Sequence, residues 1–131
     1  MQGSAAIYAV TDFFEPFAAH GPEKAVEIEA AQGINLAKAA AKTSTLEHYI
    51  WSTLPNGARI THGKYHIPHF VAKNRVDDYI KGDAALVAKT TFLWITFYGN
   101  NFQYPMFTPN FMVSPNSGQA VSIFVVLVGR D

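Results

Sequence analysis

The sequence predicts a small three-layer α/β sandwich built around a mainly parallel sheet. Apolar stretches of strand length alternate with two helix-like segments, which is the order that crossover connections between parallel strands produce. The apolar stretches are continuous rather than alternating with polar residues, as in strands that are covered on both faces. The chain has 131 residues, of which 49% are hydrophobic, so we expect one packed core.

The first half of the chain predicts a strand, a helix and a second strand. The strand is "AAIYAV" (5–10), and a loop, "TDFFEPF", follows it. A helix begins at Pro22 and runs to Lys42 through good helix-forming residues. Small residues at Ala30, Gly33 and Ala37, in line with Val26, would let this helix lie close to the sheet. The charged residues of the helix are expected on a solvated face: Glu27, Glu29, Lys38 and Lys42.

The second half predicts one further crossover of the same kind, followed by a loop and a fourth strand. "LEHYIW" (46–51) is the second strand, and residues 52–68 form a long loop rich in Pro, Gly and Asn signals. A second helix begins at Pro68 and ends near Gly82, and one of its faces carries Phe70, Lys73, Val76 and Ile80. "TTFLWITFY" (90–98) and "AVSIFVVLV" (120–128) are the third and fourth strands.

Composition excludes several classes of function. Ten basic residues balance ten acidic ones without a basic stripe, so a direct nucleic-acid partner has no electrostatic support. There is no cysteine, which excludes disulfides and thiolate nucleophiles. The longest apolar run, Ile123 to Val128, is too short for a membrane span, and the N-terminus does not resemble a signal peptide. We therefore expect a cytoplasmic protein without a membrane partner.

Polar and aromatic residues gather where the predicted strands end. These segments are "TDFFEPF", "STLPNG" and "FYGNNF". Ligands of parallel sheets bind beyond the carboxyl ends of the strands, so a pocket is expected there.

Five motifs, in order, resemble the NmrA-like family of atypical short-chain dehydrogenase/reductase proteins. They are "AVTDFFEPF", "EIEAAQGINLAKAA", "HYIWSTLPN", "GKYHIPHFVAKNRVDDYI" and "FYGNNF", within residues 5–112. The resemblance implies a Rossmann-like fold that binds NADP. Many members of that family are regulators or redox sensors rather than reductases, so the resemblance also makes a regulatory role possible for this chain.

The sequence departs from the family pattern in two ways. No glycine-rich turn precedes "AAIYAV", although such a turn holds the pyrophosphate of the cofactor in the family. The tail, 113–131, does not continue the family's substrate-binding part. We therefore interpret residues 1–131 as a single truncated NmrA-like domain, and we expect weak NADP binding or none.

The resemblance also implies a catalytic set. Typical short-chain dehydrogenases carry Tyr and Lys four residues apart on a helix, whereas here His69 stands four residues before Lys73. His69 is therefore the candidate acid–base group and Lys73 the candidate ligand contact, with Ser52 as the group that binds a substrate oxygen. The alternative is that His69 only starts a helix, that Lys73 is solvated and paired with Asp77, and that Ser52 caps a strand.

Further residues are assigned from their position at strand ends. Thr11, Asp12 and Lys73 are the expected cofactor contacts. The expected substrate contacts are Tyr65, Phe97, Tyr98 and Asn101. His62, His66 and His69 lie in a loop interrupted by Gly63 and Pro68, without a neighbouring acidic ligand, so we assign no metal site.

Three functions remain open at this point. The first is a small-molecule-binding or regulatory protein with lost or weakened NADP-dependent activity. The second is a non-redox enzyme, an isomerase or cyclase of fungal-type secondary metabolism, that uses the remnant pocket. The third is a reductase that another chain completes. Because the first strand would leave an apolar, uncharged edge, a homodimer is also expected.

Overall fold

The computed structural model describes residues 3–95, 98–103, 111–113 and 120–122. Its contacts divide the chain into two compact units, Met1–Thr96 and Phe97–Asp131. The strands of the first unit are β1 (Ala6–Ala9), β2 (His48–Thr53) and β3 (Thr90–Trp94). Its helices are α1 (Phe14–His20), α2 (Pro22–Ala41), α3 (Gly57–Ile60), α4 (Pro68–Lys81) and α5 (Ala84–Val87).

The three strands of the first unit form one parallel sheet in the order β1-β2-β3. In its register Ala6 pairs with His48, and Ile50 pairs with Thr91. Strands added in sequence order through right-handed crossovers place both crossover helices on the same face. This arrangement confirms the predicted α/β class with a mainly parallel sheet.

Helix α2 lies close to the sheet, as its small residues predicted, and it also lies close to α4. A Cβ atom on Gly33 would meet Val76 Cγ2 at 2.6 Å and Trp51 at 3.1 Å, which leaves no room for a side chain. Ala30 and Ala37 are buried on the same face. The core on this side of the sheet contains Trp51 and Val76 from β2 and α4, together with Ala37 from α2. Because the chain runs in the order β1-α2-β2-α4-β3, both helices begin near the carboxyl ends of the strands. The faces of α2 and α4 that pack against each other therefore meet there.

The structure corrects two expected loops. The segment with Pro16 is a helix, α1, because Pro16 lies in its first turn, where a helix needs no N–H donor. The long loop after β2 contains the short helix α3, whose first N–H groups are capped by Asn56: its side chain accepts from Arg59 N at 2.9 Å. The other predicted elements of this unit are confirmed with ends shifted by a few residues.

The second unit contains one 3₁₀ turn and one small ladder among its described residues. The turn is Gly99–Gln103. The ladder pairs β4 (Phe111–Val113) with β5 (Ala120–Ser122) in antiparallel register. The predicted fourth strand is thus confirmed at its first three residues, while the remainder of 120–128 lies outside the described residues. No helix in the described ranges is long and apolar enough to cross a membrane.

Tyr49 of β2 is a buried phenol that yields a test of the core. Its side chain is fully buried, and its hydroxyl has no hydrogen-bond partner among the described residues. Burial disfavours the phenolate and raises the pKa of Tyr49 to about 12 from 10.0. The folded state therefore favours the neutral phenol. The resulting contribution to the free energy of unfolding is complete below pH 10 and is lost as the pH rises towards 12.

We expect Tyr49→Phe to be at least as stable as the parent chain at pH 7. The substitution keeps the ring and removes only an unpartnered hydroxyl, whose burial costs roughly 1–3 kcal/mol. Between pH 10 and 12 the variant should lose less stability than the parent chain, as measured by urea unfolding. A large loss at pH 7 would instead reveal a hydrogen bond that the hydroxyl makes in solution.

Candidate functional site

The carboxyl end of β1 and the first half of α4 bring two predicted residues together. Lys73 Nζ donates to the backbone oxygen of Thr11 at 3.1 Å and to Thr11 Oγ1 at 3.1 Å. Thr11 lies two residues after β1, at the edge of the sheet where the strands end. Of the expected cofactor contacts, Thr11 and Lys73 are therefore neighbours in space although 62 residues separate them.

A third residue, Glu29 of α2, completes this cluster. Glu29 Oε1 accepts from Thr11 Oγ1 at 2.8 Å and lies 3.0 Å from Lys73 Nζ. Glu29 is fully buried, so the expectation that it lies on a solvated face is wrong. Its side chain lies on the buried face of α2 with Val26 and Gly33, three residues after one and four before the other. This spacing is the sequence pattern from which the burial of Glu29 could have been predicted.

The ammonium of Lys73 is fully occupied by protein groups. It has three N–H donors, and three acceptors surround it: Thr11 O, Thr11 Oγ1 and Glu29 Oε1. It also lies 5.4 Å from the centre of the Trp51 ring, within the range of a cation–π contact. Lys73 is thus a buried, paired cation.

The alternative of a solvated Lys73 paired with Asp77 is also wrong. Lys73 is buried, and its carboxylate partner is Glu29 on another helix. Asp77 Oδ1 instead accepts from Trp51 Nε1 at 2.9 Å. Burial raises the pKa of Asp77 above its ordinary value, although hydrogen bonds from neighbouring side chains partly offset this effect.

His69 lies one turn before Lys73 among aromatic rings. Its ring centre is 4.7 Å from Phe70, 5.8 Å from Phe13 and 5.7 Å from Phe14. Burial lowers the pKa of His69, and the negative charge of Glu29 partly opposes this shift. The imidazole is therefore held towards its neutral form beside the Glu29–Lys73 pair.

Two other predicted residues lie apart from this cluster. Asp12 Oδ1 accepts from the backbone N–H of Phe14 at 2.8 Å and so shapes the turn into α1. Ser52 is buried inside β2 rather than beyond its end. Because side chains alternate along a strand, Ser52 points away from the face that carries Trp51 and Lys73.

The expected substrate contacts are distributed over the two units. Tyr65 is 55% exposed, and Lys64 Nζ lies 5.3 Å from the centre of its ring. Tyr98 and Asn101 belong to the second unit, where the N–H of Asn101 donates to the oxygen of Tyr98 at 2.9 Å. Phe97 lies outside the described residues.

A shallow groove of about 260 Å³ runs between the first halves of α2 and α4. Val26, Val71, His66 and Arg75 contribute to its lining, which includes none of the predicted site residues. Within the described ranges, no group of three or more His, Asp or Glu side chains is placed to hold a metal ion.

The cluster of Thr11, Glu29, Lys73 and His69, which we call the β1-end cluster, has two chemical properties. Its opposite charges neutralise each other, since one buried carboxylate pairs with one buried ammonium. Its remaining hydrogen-bonding groups are Glu29 Oε2, an acceptor that is buried without a partner among the described residues, and the imidazole of His69, which can donate and accept. The cluster therefore offers neither a free cation nor a free cationic donor.

Comparison with known proteins finds a family and several relatives, two of which are described here. The model of the NmrA-like family matches residues 1–123. The nitrogen metabolite repression protein nmr of Neurospora crassa is 33% identical over 71 residues, which are 52% of this chain and 14% of that protein. The nitrogen metabolite repression protein nmrA of Emericella nidulans is 33% identical over 88 residues, or 64% of this chain and 24% of that protein. The chain thus spans less than a quarter of the length of either relative.

Proposed function

The chain belongs to the NmrA-like family, and we propose that it is a small-molecule-binding regulatory protein with lost or weakened NADP-dependent redox activity. The names of these two relatives, which describe proteins of nitrogen metabolite repression, support a regulatory role. The β1-end cluster is the proposed binding site, because ligands of parallel sheets bind at the carboxyl ends of the strands.

One observation carries the proposal: Lys73 is already saturated by Thr11 and Glu29. The resemblance of "HFVAK" to the family motif assigns this lysine to the cofactor. A cofactor group that replaced Glu29 at Lys73 would leave the fully buried carboxylate without its partner. Breaking a buried ion pair in this way costs about 3–5 kcal/mol, which would weaken binding by orders of magnitude.

We expect the 131-residue chain to bind NADPH with a dissociation constant weaker than micromolar. Isothermal titration calorimetry measures this directly, and energy transfer from tryptophan to the bound nicotinamide gives an independent signal. A micromolar or tighter constant in both measurements would contradict the proposal and restore the reductase interpretation.

A further inference from the structure

The unpartnered oxygen of Glu29 is the starting point for an inference about ligand chemistry. Glu29 Oε1 is shared by Thr11 and Lys73, whereas Oε2 has no partner among the described residues. A buried carboxylate oxygen without a donor is costly, because its hydration is lost and nothing replaces it. A hydrogen-bond donor on a bound ligand would remove this cost.

The charge of the β1-end cluster decides which donors fit. An anionic ligand group would approach a carboxylate that is fully buried and lies 3.0 Å from the only ammonium of the cluster. It would meet repulsion from Glu29 and could reach Lys73 only by displacing Glu29. A neutral hydroxyl can instead donate to Glu29 Oε2 while the Glu29–Lys73 pair stays intact.

The surroundings of the cluster are aromatic. Phe13, Phe14 and Phe70 have ring centres within 5.8 Å of the His69 ring, and Phe14 is 64% exposed. A flat ligand could pack against such rings in stacked or edge-to-face geometry.

The turn from Thr11 to Phe14 is the natural route of entry. Oε2 is closed from solvent, so this turn would have to move. Helix α1, which follows the turn, contains no buried residue. The segment is held by Phe13, which packs with Ala25, Val26 and Ala72, and by Thr11, which is hydrogen-bonded to Glu29 and Lys73. Opening of the turn breaks these contacts, so a ligand enters only through a local opening whose free-energy cost lowers its affinity.

We propose that Glu29 determines the ligand specificity of the β1-end cluster, which admits a neutral aromatic ligand whose hydroxyl donates to Glu29 Oε2 and excludes anionic ligands. This inference rests on the proposed function, since it names the class of small molecule that the regulatory site takes.

Three small probes that differ in one group test the inference on the 131-residue chain. Phenol carries a neutral donor, anisole has the same ring without the donor, and benzoate carries a negative charge. Binding is followed by NMR, through the backbone amide signals of Thr11, Phe13 and Glu29. We expect phenol to bind roughly 10- to 100-fold more tightly than anisole, the factor that one hydrogen bond to a charged acceptor gives. Benzoate should produce no shift of these signals.

Two variants sharpen the result. Glu29→Gln removes the negative charge and leaves Lys73 unpaired, so the variant should bind benzoate and lose its preference for phenol. Glu27 lies on the same helix and forms an exposed ion pair with Lys24. The variant Glu27→Gln should therefore bind the probes as the parent chain does. If Glu29→Gln does not fold, the comparison of the three probes on the parent chain still tests whether the site prefers a neutral donor.

Equal affinity for phenol and anisole, benzoate binding as tight as phenol, or no binding of any probe would each overturn the inference. None of the probes is a nucleotide, so these outcomes leave the NADPH titration unaffected. Tight NADPH binding would contradict the proposed function, whereas the results of the probe comparison named above would contradict only the role of Glu29.

Discussion

Replacing Glu29 with glutamine should lower the free energy of unfolding by about 3–5 kcal/mol. Glutamine has nearly the same shape, so packing around α2 is preserved and only the charge is lost. The ammonium of Lys73 would then be buried without its carboxylate, because the side chain of Lys73 is only 11% exposed and that of Glu29 is fully buried. Urea unfolding at pH 7, followed by circular dichroism, measures the loss.

Glu27→Gln is the matched control for this substitution. Glu27 lies two residues earlier on the same helix and forms an ion pair with Lys24 at 2.8 Å, with both side chains about 60% exposed. Exposed pairs of this kind contribute little to stability. Similar unfolding midpoints for the two variants would show that Glu29 is not a buried charge in solution.

Replacing Lys73 with methionine should be as damaging as replacing its partner. Methionine follows the path of the lysine stem but leaves the buried Glu29 carboxylate without the ammonium 3.0 Å away. The expected loss is again about 3–5 kcal/mol. Lys24→Met, which removes the exposed partner of Glu27, is the control and should retain the parent stability.

The double variant Glu29→Leu with Lys73→Met separates pairing from packing. Two apolar side chains of similar size remove both charges at once, and such exchanges are often neutral or stabilising. The double variant should therefore be more stable than either Glu29→Leu or Lys73→Met alone, with a coupling free energy of about 3 kcal/mol. Additive losses would mean that the two residues act independently.

The periodic parts of the sequence predicted the fold well. Proline at the first turn of α2 and of α4, and small residues at helical spacing, placed both helices and the face of α2 that meets the sheet. Continuous apolar runs placed β1, β2 and β3 to within a few residues. Helix α1 was missed because Pro16 was interpreted as a loop signal, although proline is tolerated in the first turn of a helix.

The candidate site was predicted less completely than the fold. Lys73 was assigned from the resemblance to the family motif, with support from its position in line with apolar residues, and Thr11 was assigned because it follows a strand. Glu29 was assigned to solvent because it is charged, even though its spacing from Val26 and Gly33 places it on the buried face. A buried charge needs a partner, and that partner lies 44 residues away, a pairing that local patterns do not encode.

The position of Ser52 shows a second limit of sequence interpretation. The predicted second strand ended at residue 51, which placed Ser52 in a loop with access to ligand. In the structure β2 continues to Thr53, so Ser52 is an interior strand residue. A shift of two residues at a strand end is enough to bury a candidate catalytic serine and to direct it to the opposite face.

Chemical modification tests directly whether Lys73 is locked by Glu29 and Thr11 rather than free to bind a cofactor. The folded chain is treated with limiting acetic anhydride, and the acetylation of each lysine is measured by mass spectrometry after digestion. We expect Lys24, whose side chain is 60% exposed, to be modified rapidly, while Lys73 stays unmodified until the chain is unfolded. Acetylation of Lys73 at the rate of Lys24 in the folded chain would show that Lys73 is not locked by Glu29 and Thr11.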